Sequence, residues 1–190
     1  MKKTVERRQQ VGREEDILKV IVDHHEVLRE CIEPLKDQGS TEAQRRKSLS
    51  TFIPMLRLHA HAEQETLYEY IREIPNLKSF ALEGVEEHDI AESLAMQLET
   101  MDYMNNWDEE ITSKAKVLAE LVEHHIDEEE KEFFPEVRRF TIPIELQILR
   151  DEYLVQCEQY LNQVLPQGLV PTLMRGAVVR VAQYVNRLNS

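Results

Sequence analysis

The stretch HAHAEQETLYEY, residues 59–70, carries the pattern that decides the fold of this 190-residue chain. Its His59 and Glu63 are four positions apart, and a helix places residues at that spacing on one face. Apolar residues at helical steps surround this pair: Phe52, Leu56, Leu67 and Tyr70. The pattern therefore predicts an amphipathic helix with a histidine and a glutamate in the middle of its buried stripe.

A second copy of the pattern occurs in HHIDEEEKEFFP, residues 124–135, where His125 and Glu129 have the same spacing. Two single histidines, His24 and His88, also lie in apolar stripes, and 64 residues separate them. Because the two copies of the motif are 66 residues apart, the first two helices resemble the next two in layout. This internal repeat predicts two similar helical hairpins related by an approximate two-fold axis.

The chain is predicted to be all-α, with four long helices joined by short connections. The predicted helices cover about 14–36, 42–74, 77–104 and 108–135, with an irregularity at Pro54 and a kink or an end at Pro135. Short connections favour an antiparallel up-down four-helix bundle.

The predicted domain organisation has three parts. They are an N-terminal extension over 1–13, the bundle over 14–140 and a C-terminal helical extension over 141–190. The extension is predicted to contain two helices, one to about residue 165 and one over about 172–188. In the second, the stripe of Val178, Val181 and Val185 could pair two chains in a homodimer or pack on its own bundle.

Composition limits the classes of function. The chain is 42% hydrophobic and 31% charged, with five glycines, which favours a helical globular protein. Its formal charge of −13 argues against a nucleic-acid partner and against an anionic membrane surface. No apolar run reaches the roughly 20 residues of a membrane span, and the charged first ten residues do not resemble a signal peptide. Two cysteines outside any CxxC motif fit a reducing cytoplasm.

The histidine and glutamate side chains in the four stripes indicate a metal centre. A buried carboxylate costs several kcal/mol unless it is paired or binds a metal, and the stripes contain no Lys or Arg to pair with it. A bound cation is the simplest source of the missing positive charge. The candidate ligands are His24, His59, Glu63, His88, His125 and Glu129.

Six ligands are more than one tetrahedral zinc ion requires, and imidazole with carboxylate suits iron. The pattern therefore favours two irons with the four histidines as terminal ligands and with Glu63 and Glu129 as bridges. Positions left open on such a pair could take a solvent bridge and O2, peroxide or NO. The remaining histidines, His25, His61 and His124, lie about 100° from the stripes. They are predicted to lie beside the ligands or at the surface.

Several motifs together resemble the hemerythrin-like HHE cation-binding domain over residues 14–140. They are Asp23-His24, His59-x3-Glu63-x3-Leu67-Tyr68, Glu87-His88 and His125-x3-Glu129-x3-Phe133-Phe134-Pro135. The resemblance implies a four-helix bundle and an oxo- or hydroxo-bridged pair of non-haem irons, with zinc or another divalent metal as a substitute. It also implies a protein that carries or senses O2, responds to NO or peroxide, or handles iron.

One position departs from the oxygen-carrying members of that family. They have a further histidine one turn after the ligand of the third helix, where this chain has Glu92. Glu92 is either an additional carboxylate ligand or a side chain that turns away from the site. Less imidazole and more carboxylate stabilise the ferric state, so the sequence does not favour simple O2 transport.

Three functions remain open at this stage. The first, and the favoured one, is a binding or sensing protein for O2, NO or peroxide. The second is a di-iron enzyme of the peroxidase or ferroxidase type, although such enzymes use Glu-x-x-His motifs rather than His-x3-Glu. The third is a structural helical bundle with incidental zinc.

Overall fold

The computed structural model describes residues 16–164, and helices account for nearly all of them. The four bundle helices are α1 (Ile17–Lys36), α2 (Glu42–Glu63), α3 (Lys78–Thr100) and α4 (Glu109–Glu128). Two of them continue through a π-helical segment: α2 through Gln64–Tyr68 and the short α-helical segment Glu69–Ile71, and α4 through Glu129–Phe133 and the α-helical segment Phe134–Phe140. The fifth helix, α5, spans Pro143–Val164.

The four bundle helices pack as two hairpins around one core, as the repeat predicts. Helix α1 packs on α2 and α3 on α4, and the contact between α1 and α4 joins the hairpins. Leucine, isoleucine and phenylalanine side chains fill the core, including Ile21, Leu28, Phe52 and Leu118, none of which is exposed to solvent. The all-α bundle of four long helices predicted from the sequence is confirmed.

Side-chain caps fix where three of the bundle helices begin. Asp16, Thr41 and Asp108 each accept a hydrogen bond from the backbone N–H three residues later. Thr41 also forms a capping box, because the side-chain oxygen of Gln44 accepts a hydrogen bond from the Thr41 N–H. These bonds satisfy donors that the first helical turn leaves open.

The two prolines singled out in the sequence occupy different places in their helices. Helix α2 runs through Pro54, and its change to π-helical hydrogen bonding comes only at Gln64. Pro135 lies in the first turn of the segment Phe134–Phe140, directly after the second π segment. Each π segment starts at or just after the glutamate of a His-x3-Glu motif, and such segments are frequent at functional sites.

Helix α5 confirms a helix at the start of the predicted C-terminal extension. It packs against α1, α2 and the segment Gln64–Tyr68 rather than standing apart from the bundle. Its Tyr153 and Cys157 side chains are fully buried. The predicted extension 1–13, the predicted last helix 172–188 and its proposed dimer stripe lie outside the described residues.

Within residues 16–164, no helix combines the length and the apolar character that crossing a lipid bilayer requires.

An ion pair at the start of α1 ties that helix to the end of the bundle. The buried carboxylate of Asp16 caps α1, and the Arg138 guanidinium donates to its two oxygens at 2.5 and 3.1 Å. We expect Asp16→Ala to lower the free energy of unfolding by about 1–3 kcal/mol, measured by urea denaturation, because both the cap and the pair are lost. Asp16→Asn keeps a capping oxygen and should cost less. Equal losses in the two variants would contradict a contribution from the cap.

Candidate metal centre

All six predicted ligand side chains are buried in the bundle. Two sets of possible ligand atoms lie within 4.8 Å of one another. The larger set comes from His59, Glu63, His88 and His125, and the smaller one from His25, His59 and Glu129. The two sets share His59, so five of the six predicted side chains lie in one continuous cluster with His25.

The nitrogen and oxygen atoms of the larger set face one another. Nε2 of His59 lies 3.4 Å from Oε2 of Glu63, and Nε2 of His88 lies 3.8 Å from the same oxygen. The Nε2 atoms of His88 and His125 are 3.1 Å apart. Two nitrogens that bind one ion at about 2.1 Å from positions at right angles are about 3 Å apart. The spacing of this imidazole pair therefore fits neighbouring positions on a single ion.

On α1 the structure buries two adjacent histidines, and only His25 joins the cluster. Its Nε2 lies 3.2 Å from Oε2 of Glu129, its Nδ1 lies 2.8 Å from Glu130, and its ring stacks on Phe134. His24 is buried too but belongs to neither set. The sequence pattern did not predict this arrangement, because α5 covers a second side of α1 and widens the buried arc of that helix.

The side chain that contacts His24 is Tyr153 of α5. Its hydroxyl oxygen lies 2.8 Å from Nδ1 of His24 and 3.5 Å from Nδ1 of His59. The Nε2 atoms of both histidines remain buried without a hydrogen bond. Sequence reasoning assigned no site residue to the extension, since no histidine or motif there signals the contact. The apolar spacing of Tyr153 with Leu146, Leu149 and Cys157 was the available clue to its burial.

Tyr68 breaks the symmetry between the two motifs. Its hydroxyl donates to Oε1 of Glu129 at 2.6 Å, whereas the matching residue of the second motif, Phe134, has no hydroxyl to offer Glu63. The Tyr68 ring lies against Gly84 of α3, where a Cβ atom would overlap the hydroxyl group. Glycine at this position therefore leaves the space in which Tyr68 reaches the cluster.

A carboxylate on α3 orients His125. Oε2 of Glu87 lies 2.6 Å from Nδ1 of His125, and this leaves Nε2 of the ring to face the cluster. A carboxylate on the second nitrogen is a common partner of metal-binding histidines, where it fixes the tautomer of the ring. The Glu87-His88 dipeptide was part of the resemblance, but the sequence pattern predicted no role for Glu87.

Glu92 turns away from the cluster. Both of its carboxylate oxygens accept hydrogen bonds from the guanidinium of Arg57, at 2.8 and 2.9 Å, and the side chain is partly exposed. It belongs to neither set of candidate ligands. The structure thus favours the second of the two predicted alternatives for this residue.

The two remaining histidines lie outside the cluster, as predicted. The His124 side chain is 65% exposed and lies 3.4 Å from Glu128 on its own helix. His61 is half-buried, and its ring contacts that of Tyr160 on α5.

Burial and neighbouring charges move the pKa values of the two central carboxyls in opposite directions. Burial raises the pKa of Glu63 well above its usual value, and the nearby Glu129 carboxylate adds to this rise. Burial also acts to raise the pKa of Glu129, but its interactions with His125, His25 and the Tyr68 hydroxyl lower it to about 2. Without a metal ion, the favoured state has a proton on Glu63 and a negative charge on Glu129.

The pKa values of four buried imidazoles at the site are also shifted. Burial lowers the pKa of His24 to about 4 and that of His88 to about 3, and it lowers the pKa of His59 well below the ordinary value. Burial acts on His125 in the same direction, but the carboxylates of Glu129 and Glu87 raise its pKa overall. Neutral imidazoles are the form that binds metal, so most of the cluster is ready to coordinate.

Unpaired buried atoms provide the test of whether a cation fits. Both oxygens of Glu63 lack a hydrogen-bond partner, as do Oε2 of Glu129 and the Nε2 atoms of His24, His25 and His59. Buried polar atoms in folded proteins are nearly always paired, so several unpaired acceptors in one place require an explanation. A cation among them supplies the missing partner, and the donor set of imidazole and carboxylate suits iron or another divalent metal.

The lowered imidazole pKa values predict acid lability of the metal-free protein. Between pH 6.5 and 4 the unfolded chain binds more protons at His24, His59 and His88 than the native chain does, so stability is lost as the pH falls. The raised pKa values of Glu63 and His125 oppose this trend, and the lowered values of the three imidazoles outweigh them. We expect the free energy of unfolding in chelator to fall by about 1–3 kcal/mol per pH unit below pH 6.5, measured by urea denaturation.

A variant pair tests the origin of that slope. His88→Gln removes one buried titrating group and should flatten the dependence on pH, whereas His124→Gln alters an exposed ring and should leave it unchanged. A free energy of unfolding that does not change between pH 7 and 5 would contradict the assignment.

The comparison with protein families agrees with this geometry. Residues 16–137 match the hemerythrin HHE cation-binding domain, and this range contains every residue of both ligand sets. Neither the curated proteins nor the solved structures gave a match. The matched range covers well over half of the chain, so the protein belongs to the hemerythrin HHE cation-binding domain family.

Proposed function

We propose that this protein holds a pair of non-haem irons in the centre of its bundle and uses them to bind or sense O2, NO or peroxide. The observation that carries the proposal is Glu63, a fully buried carboxyl with two unpaired oxygens among imidazoles. Membership of a cation-binding family supports the metal, and the six-ligand donor set supports iron.

The chain supplies different groups to the two sides of the proposed centre. We expect Glu63 and Glu129 to bridge the ions, since they come from the two motifs and interact electrostatically at the core. The terminal imidazoles would be those of His24, His59, His88 and His125. His25 is a further candidate, because its unpaired Nε2 faces Glu129.

The surroundings of the cluster favour a small ligand. When bound, the irons would supply reversible electron exchange with O2, NO or peroxide. Helix α5 covers the cluster on the side of His24, and a cavity of about 90 Å³ reaches His125 and Glu129 from the surface. A space of that size suits diatomic molecules and peroxide.

An enzyme of the peroxidase or ferroxidase type is the second candidate, and the carboxylates at the cluster are the observation that favours it. Mixing the reduced, iron-loaded protein with O2 or peroxide distinguishes a binding or sensing protein from an enzyme. A stable, reversible adduct supports binding or sensing, and many rapid turnovers with a reductant support catalysis.

We place the protein in the cytoplasm, since Cys31 and Cys157 are buried free thiols that a reducing compartment would maintain.

Iron content tests the proposal directly. We expect about two irons per chain after aerobic purification, with an optical band typical of a bridged ferric pair. His125→Ala should lower both the iron content and the stability of the iron-loaded form, because the cluster loses an imidazole.

His124, the residue next to His125, provides the matched control for His125→Ala. His124→Ala removes an exposed ring from the same helix and should keep the iron content of the original protein. Stoichiometric zinc without iron would contradict the proposal, and so would an unchanged iron content in His125→Ala.

Tyr153 is expected to act as a positioning residue for the α1 side of the centre. If His24 uses Nε2 as a ligand, its Nδ1 carries the proton, and the Tyr153 oxygen 2.8 Å away accepts that bond. The substitution Tyr153→Phe keeps the aromatic ring and removes the hydroxyl oxygen that would accept this bond. We expect iron affinity to fall by about 10–100-fold in a chelator competition, as is typical when a partner of a ligand is removed.

Tyr160→Phe is the control on the same helix, because this tyrosine contacts only the ring of His61 among the histidines of the described part. Its iron affinity should remain unchanged. An affinity in Tyr153→Phe equal to that of the original protein would show that the hydroxyl has no such role, provided that denaturation curves show both variants folded.

A further inference from the structure

The cavity beside His125 has an acidic rim. It lies between α3 and the end of α4, and its volume is about 90 Å³. The carboxylates around it are those of Glu83 and Glu87 on α3, Glu128 at the end of α4 and Glu132 in the segment Glu129–Phe133. None of the described residues that line the cavity is a lysine or an arginine.

The floor of the cavity consists of two candidate ligands. His125 and Glu129 both line it, and Glu129 is 4% exposed. Oε2 of Glu129 has no hydrogen-bond partner, whereas Oε1 accepts the bond from Tyr68. The cavity therefore leads from exposed carboxylates to a buried candidate ligand whose second carboxylate oxygen lacks a partner.

The side walls of the cavity are apolar. Phe80 and Phe133 stack on each other with ring centroids 5.3 Å apart, and both residues line the cavity. Low-dielectric walls concentrate the field of nearby charges, and a cleft lined by charges of one sign raises the local concentration of ions of the opposite sign. An anion would be repelled from this opening, and an uncharged gas would gain nothing from it.

We propose that this acidic opening is the route by which a divalent cation, Fe2+ in the case of the proposed centre, enters the bundle. The inference rests on the proposed function and adds the path of metal loading to it. Glu83 and Glu132 attract the hydrated ion at the rim, and the Glu129 carboxylate receives it at the floor. Glu87 is not assigned the role of attracting the ion, because its carboxylate contacts Nδ1 of His125.

The test is the rate of anaerobic Fe2+ uptake by the metal-free protein, followed by competition with a chromophoric ferrous chelator. In the double variant Glu83→Gln, Glu132→Gln we expect uptake to slow by about 3–10-fold at an ionic strength of about 10 mM. The difference should shrink to less than about two-fold at 0.5 M salt, where charges are screened over a few ångströms. The final iron content should equal that of the original protein, because neither residue is a candidate ligand.

A control variant carries the same change in net charge at other places. Glu73→Gln, Glu158→Gln alters two exposed glutamates that do not line the cavity, and its uptake rate should match the original. Equal slowing in the control would overturn the proposal, and so would an unchanged rate in Glu83→Gln, Glu132→Gln. A loss of final iron content without a change in rate would also overturn it. If the original chain takes up no Fe2+ at all, the metal centre fails and the route fails with it.

Discussion

The burial of two carboxyl groups among histidines is the constraint on which the rest of the structure depends. Neither oxygen of Glu63 has a hydrogen bond, and Oε2 of Glu129 lacks one as well. Removing such groups from water costs several kcal/mol per ion unless opposite charge compensates. The four bundle helices nevertheless converge at this point, and each of them contributes a histidine to the cluster. The core therefore gives up apolar packing where a cation can be bound.

The two halves of the repeat provide unequal surroundings for their glutamates. Glu129 accepts a hydrogen bond from Tyr68 and lies next to His25 and His125. Glu63 lies next to His59 and His88 but accepts no hydrogen bond from a hydroxyl group. The opposite pKa directions of the two carboxyls follow from this difference. A centre built here would have two chemically distinct metal positions despite the approximate symmetry of the sequence. In the proposed centre, this difference would give an external ligand one preferred position to occupy.

The sequence predicted those parts of the site that depend on a single helix. His59 with Glu63, and His125 with Glu129, follow from the spacing of one helical turn within an apolar stripe, and both pairs are buried at the core. The bundle followed from the same periodicity.

Contacts between distant helices could not be predicted in this way. Tyr153 lies 129 positions from His24, so that no local pattern connects them. Helix α5 covers α1 on a second side, which is why the ring next to Glu129 belongs to His25 and not to His24. The salt bridge from Arg57 to Glu92 is another contact between helices, and it removes Glu92 from the cluster. A stripe on one helix indicates what is buried, and only the packing of its neighbours decides which buried side chains meet.

The close approach of Tyr68 to Gly84 limits which substitutions this chain can accept. A side chain at position 84 and a phenol at position 68 compete for one volume, so the two positions cannot change independently. A smaller residue at position 68 would make room for alanine or serine at position 84, but the hydroxyl that donates to Glu129 would be lost. The unequal surroundings of the two glutamates therefore depend on a tyrosine and a glycine that have to be kept together.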